Sequence, residues 1–171
     1  VRHQSLTIMS KAIQLASHLG VRIIQLAGYD VYYKEGTPET RAFFEENLHK
    51  AVTMAAAEGI LLGFETMETP FMNTVGKAMT YVEKINSPYL GVYPDAGNVT
   101  NACLLDGSDV VDDFRLGAGH ILAIHLKETL PGKYREVPFG TGHTDFSRIV
   151  TEALQLGVHR FVGEFWYVGN A

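Results

Sequence analysis

The sequence predicts an α/β protein, the C-terminal part of a (β/α)8 TIM barrel with about five parallel strands. Three observations predict it. Short apolar segments alternate with helical periodicity along all 171 residues, the pattern of a parallel sheet covered on both faces. Glu65, Asp95, His125 and Glu164 stand at or near the C-terminal ends of four successive strand segments. A closed barrel brings such ends to one face, whereas an open sheet lays them out in a row. No G-x-G-x-x-G turn follows an early strand, which argues against a dinucleotide-binding sheet.

The elements follow in order. Leu6, Met9, Ile13, Ala16 and Leu19 recur at helical spacing, and Gly20 follows where a C-cap glycine belongs. The apolar run 22–27, ended by Gly28, reads as a buried strand. Thr37-Pro38 opens a second helix, with Thr as N-cap and Pro in the first turn, running through Phe44, Leu48, Val52 and Ala55 to Gly59. Then come a strand at 60–65, a helix near 74–85, a strand at 90–95 and a short helix near 109–116. A strand at 121–126, a helix capped by Asp145 and ended by Gly157, and a strand at 160–165 complete the series. A barrel usually takes about 250 residues, so about three βα units are expected ahead of this chain and a closing helix behind it. Residues 1–171 read as a single domain, with no internal repeat, low-complexity segment or linker.

The charge balance, 14 Lys+Arg against 19 Asp+Glu with a net of −5, argues against a nucleic-acid surface, whose affinity rests on Lys and Arg at phosphates. A single cysteine, Cys103, excludes an internal disulfide framework and fits a reducing, cytoplasmic compartment. No apolar run approaches the roughly 18 residues a membrane span needs, and no signal peptide is visible. The chain starts at Val1 rather than Met, so its first residues are expected to be missing.

The four polar strand ends are spaced about one βα unit apart. Carboxylates with an imidazole suit a borderline divalent ion such as Mn²⁺, Co²⁺ or Zn²⁺ better than Ca²⁺, which prefers all-oxygen shells. The alternative is a layer of salt bridges and hydrogen bonds capping the barrel.

The segments Phe64-Glu-Thr-Met-Glu-Thr-Pro-Phe-Met-Asn73, Val92-Tyr-Pro-Asp-Ala-Gly-Asn98, Ile124-His-Leu-Lys-Glu128 and Val137-Pro-Phe-Gly-Thr-Gly142 resemble the L-ribulose-5-phosphate 3-epimerase (L-xylulose-5-phosphate 3-epimerase) family, one of the xylose-isomerase-like barrels. Leu26-Ala-Gly-Tyr-Asp-Val-Tyr-Tyr33 resembles its fourth-strand signature, and the likeness covers nearly the whole chain. It implies a divalent metal held by Glu65, Asp95, His125 and Glu164. It also implies epimerisation at C3 between L-ribulose 5-phosphate and L-xylulose 5-phosphate through an enediolate, in pentose and L-ascorbate catabolism. Glu65 and Glu164 would be the two catalytic bases, one on each face of the enediolate. One departure is a stretch, 99–112, a few residues longer than the family leads one to expect, read as a differing loop.

A phosphorylated substrate needs an anion site, which barrels often build from late loops and a helix N-terminus. Lys127, Arg135 and the run Gly140-Thr-Gly-His143 ahead of the Asp145-capped helix fit that role, with Asn98 and His143 as further contacts. Alternatively, Lys127 pairs with Glu128 and Arg135 with Glu136 at the surface, worth little. Glu68 is expected to line the loop, Tyr29, Tyr32 and Tyr33 to wall the pocket or pack on a neighbouring loop, and Trp166 to wall the pocket. His3, His18, His49, His120 and His159 are expected in solvent, and Cys103 in a variable loop. Competing readings are an aldose–ketose isomerase on the same scaffold, an apurinic-endonuclease-like phosphodiesterase and an inactive metal-binding fragment. Barrels of this type often pair into homodimers, though no residue here establishes that.

Overall fold

The computed structural model describes residues 2–167 and 169. Helix α1 (Arg2–Leu19) leads into strand β1 (Ile23–Ala27), then α2 (Pro38–Ala57), β2 (Leu61–Glu65), α3 (Val75–Ile85) and β3 (Leu90–Val92). Two helices follow, α4 (Ala96–Asp106) and α5 (Val110–Leu116), and then β4 (Ile124–Lys127), α6 (Phe146–Gln155) and β5 (Phe161–Glu164). Every strand pairing is parallel. β1 pairs with β2 from Ile23↔Leu61 to Ala27↔Glu65, β2 with β3 from Leu62↔Leu90 to Phe64↔Val92, and β4 with β5 from Ile124↔Phe161 to Lys127↔Glu164. Parallel bridges at Val92↔Ile121 and Asp95↔His125 join the two groups. The result is the partial (β/α) barrel that the alternation predicts.

The two caps anticipated from the sequence, Thr37 and Asp145, are in place, and Thr74 and Asp109 cap their helices as well. Thr37 forms a capping box with Thr40, and the side chains of Thr74, Asp109 and Asp145 each accept a hydrogen bond from the first turn of their helix. The core between sheet and helices holds Leu62, Phe64, Met72, Val82, Val92 and Ile124, all buried. Around Phe64, the rings of Phe44, Phe71 and Tyr81 pack edge to face and stacked. α1 buries Ile13 and Ala16, while Leu19 is exposed. The outer strands depart from expectation. β1 and β5 each pair on one side only among the described residues, and both are half exposed rather than buried. No described helix is long and apolar enough to cross a membrane.

The largest departure is α4, where the sequence reading has a loop. Its Asp95 N-cap and Gly107 C-cap, the latter in the left-handed region at φ +68°, bound a helix whose Ala96, Val99, Ala102 and Cys103 are buried. Cys103 is therefore a packed helix residue, and burial pushes its thiol up. Gly97 permits the close approach of α4 to the next strand. A β-carbon there would sit 2.7 Å from the Lys127 carbonyl and 2.5 Å from the Thr129 methyl.

Asp113 of α5 anchors a neighbouring helix. The N–H groups of Val75 and Gly76, at the start of α3, donate to its carboxylate at 2.7 and 3.0 Å. A carboxylate at a helix N-terminus satisfies orphan donors and complements the helix dipole. Asp113→Ala is expected to lower the unfolding free energy in urea by about 2–3 kcal/mol, since hydrogen bonds to a charged group are lost and buried donors are stranded. Asp113→Asn should restore part of that loss.

Candidate metal centre

Strand register places the cluster. Glu65 is the last residue of β2, Glu164 the last of β5, and His125 lies within β4 opposite Asp95 in the bridge between sheet groups. One donor atom from each of Glu65, Asp95, His125 and Glu164 falls within 4.8 Å of the other three. Ligand atoms about 2.0–2.2 Å from a shared ion stand at most about twice that distance apart, so a small contraction closes the set on a cation. His125 Nδ1 lies 2.9 Å from Glu65 Oε1 and 2.9 Å from Glu164 Oε2, and 4.0 Å from Asp95 Oδ2. Asp95 is wholly buried, and its Oδ2, like Glu164 Oε2, accepts no well-directed hydrogen bond. Carboxylate oxygens buried and left without such bonds fit a metal's donor set.

The charges require compensation. Three carboxylates meet here, and Lys127, buried at 5% exposure, lies 2.9 Å from Asp95 Oδ2 and 3.6 Å from Glu164 Oε1. Its ammonium also stands 5.8 Å over the Trp166 ring, so that ring does line the site. Burial drives the Asp95 carboxyl up to about 7, against the pull of Lys127. Burial alone would lower His125, but the carboxylates of Glu164 and Glu65 beside it outweigh that and raise the imidazole to about 9. Glu164 is partly buried, which would raise it, yet His125 and Lys127 hold it down at about 2. Together these shifts put a proton on His125, where the donor set suits a divalent cation.

The surrounding residues fix the donors. Thr66 Oγ1 accepts from the Asp95 N–H at 2.9 Å, and Asp95 Oδ1 accepts from the Asn98 N–H at 2.7 Å. Gln25, a polar residue on β1 that the sequence reading passes over, donates to Glu65 Oε2. Its signal was a lone amide within an apolar strand.

The residues expected to bind phosphate are held apart. Lys127 pairs with Asp95 and Glu164 rather than Glu128. The Asn98 amide donates to the Thr66 carbonyl at 2.8 Å, and His143 Nε2 lies 3.1 Å from Thr129 Oγ1. Arg135 pairs with Glu68 at 2.9 Å, not Glu136, and donates to the Tyr33 hydroxyl at 2.6 Å. The backbone amides of Gly140 and Thr144 already have an anion, donating to the buried Glu128 carboxylate at 2.9 and 3.0 Å. These amides and that of Thr129 bring Glu128 below the ordinary range although burial opposes them. Gly142 passes so close to Thr129 and Glu128 that a β-carbon would collide with both. His18, His49, His120 and His159 are exposed as expected, and the His3 side chain lies outside the described residues. A cavity of about 630 Å³ between α1, β1 and α2 touches none of the four donors.

The chain is similar to several known proteins. The chain is 45% identical over 157 residues to L-ribulose-5-phosphate 3-epimerase UlaE of Shigella boydii serotype 18, a match covering 92% of this chain and 54% of the relative. The chain thus spans about half the length of the curated relatives it matches. Among solved structures, a D-tagatose 3-epimerase-like protein superposes with a TM-score of 0.81 at 17% identity, over 95% of this chain and 62% of that one. A xylose isomerase-like TIM barrel protein from Mycobacterium smegmatis, solved in complex with magnesium, gives 0.76 at 18% identity, over 98% and 62%. The xylose isomerase-like TIM barrel family matches residues 1–167, and with its parallel strands and alternating helices the chain belongs to that family.

Proposed function

We propose that this chain forms the metal-holding part of a sugar-phosphate 3-epimerase that interconverts L-ribulose 5-phosphate and L-xylulose 5-phosphate. The observation that carries the reading is the convergence of Glu65, Asp95, His125 and Glu164 on one point at the strand ends. The 45% identity to a curated epimerase of that specificity supports it. Residues 1–171 act in it as one domain, the partner is a small ketose phosphate, and the setting is cytoplasmic.

Epimerisation at C3 removes the C3 proton and returns one to the opposite face. The four residues would hold Mn²⁺, Co²⁺ or Zn²⁺, which when bound supplies Lewis-acid stabilisation of negative charge developing on the substrate oxygens. Glu65 and Glu164 come from strands that are not neighbours, and each lies 2.9 Å from His125 Nδ1. Each has one oxygen toward that nitrogen and a second oxygen with which to exchange a proton. One acts as base while the other, protonated, acts as acid, and the reverse reaction swaps them. Gln25 keeps the Glu65 carboxylate from rotating. Lys127, fixed beside Asp95 and Glu164, keeps the carboxylates together. Arg135, Lys127, Asn98 and His143 are proposed as the groups around the substrate, with Arg135 at the rim the one open to solvent.

The test follows L-xylulose 5-phosphate by NMR in D₂O with Mn²⁺ and the intact protein. Deuterium at C3 together with L-ribulose 5-phosphate is the expected result. Exchange at C1 of another sugar phosphate would move the function to an aldose–ketose isomerase, and silence on every ketose would overturn the reading.

A further inference from the structure

Lys127 is the fixed cation of the cluster. It closes β4 two residues after His125, so both side chains leave the strand on the same face. Its ammonium is buried, 2.9 Å from Asp95 Oδ2 and 3.6 Å from Glu164 Oε1, and the Trp166 ring lies 5.8 Å away. Both oxygens belong to residues of the donor set, so a permanent positive charge stands beside the place where a metal ion would sit. As a means of holding the fold together this pairing offers little, since a buried ion pair is often no better than well-packed apolar side chains. As the electrostatic neighbour of an ion it has a large effect.

The charges of the side chains define that effect. Glu65, Asp95 and Glu164 bring three negative charges when they bind a metal, a neutral His125 brings none, and Lys127 returns one. The set then carries two negative charges, and a divalent cation brings the buried centre to neutrality. Without Lys127 three would remain, and a trivalent cation would be the match. The number of charges among the donors is a general means of tuning metal sites. An ion bonded to Asp95 Oδ2 at about 2.2 Å would stand within about 5 Å of the ammonium, given the 2.9 Å contact. At that range two charges interact strongly even at the damped effective dielectric of a protein.

We propose that Lys127 is the built-in counter-charge of the metal centre: fixed beside Asp95 and Glu164, it lowers the negative charge of the set from three to two and so selects a divalent over a trivalent ion. It acts across space and is not itself a ligand. This rests on the metal-holding reading above and deepens it by naming the residue that sets the valence. A neutral loaded centre also leaves no net charge to repel the anion that forms when the C3 proton is removed.

The test compares affinities for Mn²⁺ and Tb³⁺ on the intact, metal-free protein at one pH. Calorimetry reads Mn²⁺, and Tb³⁺ is read by the emission sensitised by Trp166, the one Trp of the 171 residues. Protons compete with both ions alike and cancel from the ratio. Lys127→Met is expected to shift that ratio about a hundredfold toward Tb³⁺. Glu164→Gln, which removes a negative charge, should shift it the other way, and Lys127→Met/Glu164→Gln should return to the wild-type ratio. The balanced double variant, set against Glu164→Gln, carries the test even where Lys127→Met alone fails to fold. An equal loss of both ions in Lys127→Met would make Lys127 a structural residue and overturn the proposal. An unchanged ratio, or a double variant that stays at the ratio of Glu164→Gln, would overturn it too. A wild type that binds neither ion would sink the metal-holding reading along with it. A wild type that turns over no ketose, yet shows the shift on Lys127→Met, would sink the epimerase reading and leave the role of Lys127 standing.

Discussion

Glu65→Gln and Glu164→Gln should each abolish net epimerisation at C3, by about a hundredfold to ten-thousandfold, the range that positioned acid–base groups supply. The more telling result is the asymmetry of deuterium exchange. With a base on each face, removing one leaves the other able to take the proton from the single epimer whose C3–H faces it. Each variant should therefore still wash deuterium into one epimer, and the two variants should choose opposite epimers. The measurement is NMR of both ketose phosphates in D₂O at saturating Mn²⁺, so that lost metal affinity does not masquerade as lost chemistry. Loss of exchange from both epimers in one variant and neither in the other would show that a single carboxylate does the proton transfer. Glu65 is the more constrained of the two, with Gln25 on one oxygen and His125 at 2.9 Å from the other. Its amide variant should lose more metal affinity than Glu164→Gln, whose side chain is 25% exposed and freer to readjust.

Metal binding should tighten steeply as pH rises from 6 to 8, by about a hundredfold or more. In the metal-free cluster, the neighbouring carboxylates of Glu164 and Glu65 keep His125 protonated up to about 9, despite the burial that opposes them. A cation takes the imidazole only in its neutral form, so below pH 9 each binding event releases a proton, and affinity gains about tenfold per pH unit. Toward the acid end the slope steepens, because burial has raised Asp95 and a second proton then competes. Glu164, held at about 2, is already ionised throughout this window and contributes no slope. Calorimetry with Mn²⁺ in buffers of different ionisation enthalpy counts the released proton directly. A flat profile would remove His125 from the ligand set. His125→Asn should weaken binding and flatten most of the remaining slope.

Much of this arrangement can be read from the chain because its punctuation is strong. Thr37, Thr74, Asp109 and Asp145 each precede an apolar-periodic run, and all four became caps. The strand ends bearing Glu65 and Glu164 were legible for the same reason, since each closes a short apolar run. α4 was hidden because Gly97, Asn98, Thr100 and Asn101 are poor helix formers. Burial of its apolar face decides against that local preference, and Asp95 does not announce itself as a cap when it is read as a ligand. The alternative pairing of Lys127 with Glu128 does not form, and Lys127 lies instead against Asp95 and Glu164. Strand alternation carries the correct signal, since residues two apart share a face and His125 therefore points the same way as Lys127. The Arg135–Glu68–Tyr33 contact joins positions up to 102 apart in sequence, and no local pattern announces such a bond.

Asp95 divides its two oxygens between two duties: Oδ1 receives the Asn98 amide at the start of α4, and Oδ2 faces the other donors. That division governs where evolution and engineering can add or remove residues. The first turn of α4 is locked to the cradle, so an insertion between Asp95 and Asn98 would rotate the helix off its cap and swing Oδ2 out of the donor set. Among the described residues, the far end at Gly107 and Ser108 is tied to its own last turn, through bonds to the Cys103 carbonyl. The helix can thus change length from generation to generation at its free end while the chemistry at its origin stays in register.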